Sequence, residues 1–146
     1  MKSSQTCNIF IQEICRVFGD SRHPFFMNIE EIRIFCLSKS GATESFPFDD
    51  QTLVFKAGGK MFALLSLGMD ECRVNLKCDP GRALELREEY PGDIIPGFHM
   101  NKDHWNSVYT ERGLEDRLIM EMIDHSYNLV VKSLPKKIRE EFGRSS

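Results

Sequence analysis

The run Thr52–Ala57 (TLVFKA) is followed by Gly58-Gly59 and then by Lys60–Leu67 (KMFALLSL). Two β-rich runs joined by two glycines predict a tight antiparallel hairpin, because both turn positions need a left-handed backbone that glycine adopts freely. A lone hairpin is marginal in water, so this one commits the chain to a larger sheet with a covered face. The neighbouring segments supply it. Thr43–Phe48 reads as a strand closed by the turn signal Pro47-Phe48-Asp49-Asp50. Cys72–Cys78 sets Val74 and Leu76 against Arg73, Asn75 and Lys77, which predicts a half-exposed antiparallel strand. Ser107-Val108-Tyr109-Thr110 predicts one more short strand.

Helices flank this block. Asn28 is a good N-cap with Glu31 three residues on, and Ile29, Ile32, Phe35 and Cys36 form a stripe that ends at Ser40-Gly41. Asp79 and Pro80 open a second helix through Ala83, Leu84 and Leu86 to Tyr90, where Pro91 stops it. A long helix runs from about Leu114 to Lys132, with Leu118, Ile119, Met122, Ile123, Leu129 and Val130 on one broad face. Leu134-Pro135 interrupts it, and Lys136–Phe142 forms a short last helix. The predicted fold is α+β: two layers, a mostly antiparallel sheet of about five strands with helices packed on it, in the order α-β-β-β(-β)-α-β-α.

Residues 1–26 differ from the rest. Ile9, Phe10, Ile14, Val17 and Phe18 predict one short amphipathic helix closed by Gly19, an N-terminal extension before the domain at 27–142 and the tail at 143–146. A methionine directly before the capped helix marks Met27 as the expected native start. The five cysteines are odd in number and lack CxxC spacing, which fits free thiols in a reducing compartment. Cys72 and Cys78 read as small buried hydrophobes rather than as a metal or redox pair. No apolar run approaches the roughly 20 residues of a membrane helix, and Gln5, Asn8, Gln12 and Glu13 break up the N-terminal apolar residues. A cytoplasmic protein without membrane contact is expected. With a net charge of -3, nucleic-acid affinity would have to come from a local patch.

Catalytic signals are missing. There is no GxSxG, Walker loop, GxGxxG or HExxH, and the pairs Asp49-Asp50, Glu88-Glu89 and Glu140-Glu141 have the spacing of solvated carboxylates. A non-enzymatic protein without metal or cofactor is expected. His125, inside the long helix, reads as a satisfied, partly buried histidine.

Gly97–Asn106 holds two of the four histidines (His99, His104), the only tryptophan (Trp105), Asn101 and Lys102, just after the breakers Pro91, Gly92 and Pro96. Such density in an irregular segment suits binding. It equally suits a structural loop, with Trp105 as a core plug and His99 and Asn101 bonding the irregular backbone.

Phe46-Pro47-Phe48, Leu53-Val54-Phe55-Lys56, Gly58-Gly59-Lys60-Met61-Phe62-Ala63, Asn75-Leu76-Lys77-Cys78, Pro96-Gly97-Phe98-His99-Met100-Asn101-Lys102, His104-Trp105-Asn106, Asp124-His125-Ser126-Tyr127 and Leu134-Pro135-Lys136-Lys137 stand in the order found in the MmcQ/YjbR family of small bacterial proteins. The chain resembles that family over about residues 27–139. The resemblance implies a two-layer domain like that of secretion chaperones, sometimes compared with the frataxin-like fold, and DNA binding with a double-wing arrangement. It carries over no catalytic residues.

The residues offer cations for such a role: Lys56 and Lys60 beside the hairpin turn, Arg73 and Lys77 on the next strand, Lys102, His104 and Trp105 in the dense segment, and Lys136 and Lys137 at the last helix. DNA is therefore the first expected partner, bound by a monomer or weak dimer. This reading places Lys56, Lys60, Lys77, Lys102 and Lys136 on one continuous face. An alternative, a pocket for a small anion or peptide, has His99, Asn101 and Lys102 lining one concavity. A chaperone-like protein-interaction surface would need a contiguous exposed apolar patch.

Overall fold

The computed structural model describes residues 27–68 and 71–145. The helix expected before Gly19 lies outside them. The elements in chain order are α1 (Ile29–Leu37), β1 (Ala42–Ser45), β2 (Thr52–Ala57), β3 (Lys60–Ser66), β4 (Arg73–Lys77), α2 (Pro80–Glu89), β5 (Ile94–Pro96), β6 (Trp105–Tyr109), α3 (Asp116–Lys132) and α4 (Lys136–Ser145). The six strands form one antiparallel sheet in the order β1-β2-β3-β4-β6-β5, so the fold is α+β.

Local chemistry builds the elements where the sequence places them. Asn28 Oδ1 accepts from the Glu31 N–H at 2.9 Å while Glu31 Oε1 accepts from the Asn28 N–H at 3.0 Å, a complete capping box. Met27 before the cap and Ile32 one turn in are both fully buried in the main core, which fixes the angle at which the chain enters α1. Gly58 and Gly59 take φ of 60° and 84°, as the hairpin turn requires. Past it, the β2–β3 register shifts between Phe55 and Lys56. Residues on both sides of the shift stay useful: Phe62 as well as Ala63 is buried in the main core.

Strand alternation divides the sheet into two unlike faces. Leu53, Phe55, Ala63, Leu65, Val74, Leu76 and Val108 face the helices and join Ile32, Ala83, Leu86, Ile119, Ile123 and Val130 in the main core. Ser126 fastens α3 down by accepting from the Lys77 N–H at 2.9 Å and donating to the Phe62 carbonyl. On the opposite face Val54, Leu64 and Trp105 form a second, small cluster with Met61 and Met100, all of them strand or loop residues. The sheet is thus covered by helices on one side and only by a loop on the other.

Three expectations are refined. The strand expected at Thr43–Phe48 ends at Ser45, leaving Phe46 and Phe48 exposed in the following loop. The last helix runs on to Ser145. β4 is not half-exposed: Asn75 is buried, because the 97–104 loop folds across it.

Candidate nucleic-acid interface

The loop over the helix-free face is the dense segment of the sequence, and its geometry follows from close packing. A Cβ on Gly97 would stand 2.6 Å from Trp105 Cβ and 2.9 Å from the Trp105 carbonyl oxygen, so only glycine lets the two ends of the loop touch. There the Gly97 N–H donates to the Trp105 carbonyl at 2.8 Å. Trp105 itself is 8% exposed and plugs the small cluster; it is not a free stacking ring.

Beyond Gly97, both peptide groups of Phe98 are held by buried side chains. Its N–H donates to Ser107 Oγ at 2.9 Å; the Ser107 hydroxyl donates to Asn75 Oδ1 at 2.5 Å; and Asn75 Nδ2 donates to the Phe98 carbonyl at 3.1 Å. Asn75 and Ser107 are direct cross-strand partners, so the ring of bonds stands on the rigid middle of the sheet. Burying these polar groups is tolerable because each finds a partner.

The other polar residues of the loop mostly hold its own backbone. Asn101 Oδ1 accepts from the Asp103 N–H at 2.9 Å, and Lys102 Nζ donates to the Gly97 carbonyl at 2.9 Å. His104 gives its carbonyl to the Cys78 N–H at 2.7 Å. Arg87 of α2 donates to Asn106 Oδ1 at 2.7 Å and to the carbonyls of Lys102 and Trp105. His99 is exposed with φ of 61°, a left-handed backbone uncommon outside glycine.

The expected cations fall into two groups. Register places Lys56 beside Val54 on the helix-free face, and Arg73 and Lys77 on that face of β4, opposite Tyr109 and Trp105. The Arg73 guanidinium sits over the Phe98 ring, 4.6 Å from its centroid. Lys60 turns away: its Nζ donates to the Ser133 carbonyl at 3.2 Å and to Ser133 Oγ at 3.0 Å, at the end of α3. Lys136 and Lys137 are exposed in the first turn of α4, next to the same junction. The only carboxylate in any of the six strands, Glu44, points to the helical side, where Arg33 grips it with bonds of 2.8 and 2.6 Å. The strand positions of the open face therefore carry three cations and no anion.

Phe98, part of the dense segment, is not among the residues the sequence points to for binding. The signal existed in Asn75, a polar residue mid-strand, but alternation alone reads such a residue as solvated. His125 Nε2 accepts from the Asp79 N–H at 3.2 Å, a structural use. Burial pushes the Cys72 and Cys78 thiols up to about 11, so neither is activated as a thiolate. No group of three or more metal-ligating side chains occurs among the described residues. A cleft of about 350 Å³ opens elsewhere, lined by Tyr90, Asp93, Arg112, Arg117, Glu115 and Glu121 among others, and takes in none of the dense segment. No helix among the described residues is long and apolar enough to cross a membrane.

Known proteins share this architecture. The chain is 44% identical over 92 residues to the uncharacterized protein YbdF of Escherichia coli O157:H7, covering 63% of this chain and 75% of that one. It is 33% identical over 114 residues to the uncharacterized protein YjbR of Escherichia coli K12, covering 78% of this chain and 96% of the relative. Among solved structures, Deinococcus radiodurans DR2400, described as a DUF419 domain, superposes with a TM-score of 0.76 at 39% identity, over 82% of this chain and 90% of that one. A Pseudomonas syringae protein matches with a TM-score of 0.61 at 26% identity, over 71% and 99%. The family model YjbR matches residues 37–129, which hold the whole sheet and most of α3, and the chain belongs to the YjbR family.

Proposed function

We propose that this protein binds nucleic acid, as a small non-enzymatic module, through the helix-free face of its sheet. The supporting observation is the sign of that face: Lys56, Arg73 and Lys77 project there and no strand carboxylate does. Three strand cations of one sign, spread over β2 and β4 beside the covering loop, suit a polyanion better than a small ligand. The anion-pocket reading has less support, since Asn101 and Lys102 give polar atoms to their own loop. The protein-interaction reading has exposed Phe46, Phe48, Leu84 and Phe98, but these are spread over two loops and a helix.

Fluorescence anisotropy of labelled DNA at several salt concentrations tests the proposal. Three phosphate contacts predict a slope of log K against log salt of about -2 to -3. Replacing Lys56, Arg73 and Lys77 with glutamine should flatten that slope. Unchanged affinity in the triple variant would sink the proposal.

A further inference from the structure

We infer that the ligand of the open face is single-stranded, with one unpaired base stacked on Phe98; the inference rests on the nucleic-acid reading above. Phe98 is 46% exposed in a protein that buries Phe55 and Phe62 completely. Exposure alone says little. What distinguishes Phe98 is its support: two buried side chains on neighbouring central strands hold both of its peptide groups. Its ring is held as well: the Arg73 guanidinium lies over one face, 4.6 Å from the centroid, the His99 ring stands edge-on at 4.3 Å, and a stacked base would take the face that Arg73 leaves. A base meeting this ring finds it already ordered, so little conformational entropy is lost on contact. The adjoining Arg73 and Lys77 stand four residues apart on β4, about 13 Å along the strand, and give the backbone of the same ligand its phosphate contacts.

Strand state follows from the geometry of stacking. In a duplex each base face is covered by its neighbours, and only an unpaired base has a face free for an aromatic side chain. The element best shaped to enter a duplex groove, the β2–β3 hairpin, is not free to do so. A Cβ on Gly58 would meet Leu134 Cδ1 at 2.6 Å, and Lys60 is bonded to Ser133, so the hairpin tip lies against the α3–α4 junction.

The test compares labelled oligothymidine, oligouridine and a DNA duplex with the same number of phosphates, at low and high salt, with the wild type, Phe98→Ala and Phe98→Tyr. The expected result is tighter binding of single strands than of duplex. Phe98→Ala should weaken single-strand binding by about 5- to 150-fold, the range of one base stack, and leave duplex binding unchanged. Phe98→Tyr should keep the wild-type affinity. A thermal melt of each variant shows that the fold is intact. The thymidine and uridine arms differ in both the 2′-hydroxyl and the base methyl, and tighter binding of either than of duplex agrees with the inference. If duplex binds as tightly as single strands, or Phe98→Ala changes nothing, the single-strand inference is overturned while the nucleic-acid reading stands. If the wild type binds none of the three at low salt, the nucleic-acid reading itself falls.

Discussion

Asp116, at the start of α3, shows how one residue can set a pH dependence. It is 8% exposed, and its Oδ1 has no hydrogen-bond partner. Burial, and secondarily the charge of Glu31, pushes its carboxyl up to about 6. The folded state therefore holds this proton more tightly than the unfolded chain does. Ionising Asp116 as pH rises from about 4 to 6 removes stability. Asp116→Asn should raise the melting temperature at pH 7.5 by the equivalent of about 1 kcal/mol, solvent near the other oxygen reducing the full effect, and give no gain at pH 4. Equal melting shifts at both pH values would remove Asp116 as the cause. The sequence could not have pointed to this residue, because an aspartate in a first helical turn is ordinarily a solvated, favourable charge.

The β5–β6 loop is the element whose role most needed three dimensions. Capping boxes, the Gly-Gly turn and the Pro stops are encoded within a few residues, so α1, α2 and the hairpin were legible as they stand. The loop depends on pairing across the sheet: Asn75 and Ser107 meet only because β4 and β6 are neighbours, 32 residues apart in the chain. Composition marked the segment as unusual and left Trp105 as either a stacking ring or a core plug; the close approach at Gly97 makes it the plug and leaves Phe98 outside. The network makes a sharp prediction. Asn75→Ala alone, or Ser107→Ala alone, leaves a buried polar atom unpaired and should cost about 1–3 kcal/mol in denaturant unfolding. The double variant should cost clearly less than the sum, because the second substitution removes the orphan left by the first. Strict additivity would show that the bonds do not act as a unit. Faster amide exchange at Phe98 should accompany each single change.

At the scale of the whole molecule, the one-sided cover of the sheet determines what remains available for contact. Helices take the side that carries the main core, and the other side keeps its three cations under partial cover. The outermost strands have a further consequence, for association. β1 is an edge of only four residues and β5 of only three; the Ala42 and Ile94 N–H groups are already bonded to the Lys39 and Tyr90 carbonyls, and Pro96 has no N–H to donate. Light scattering after size exclusion should accordingly find a monomer across a wide concentration range, and a dimer strengthening with concentration would contradict this. Edges so short cannot template another sheet. A protein built this way can leave the uncovered part of a β face to a ligand with little risk of adding strands from its own copies and growing into fibres.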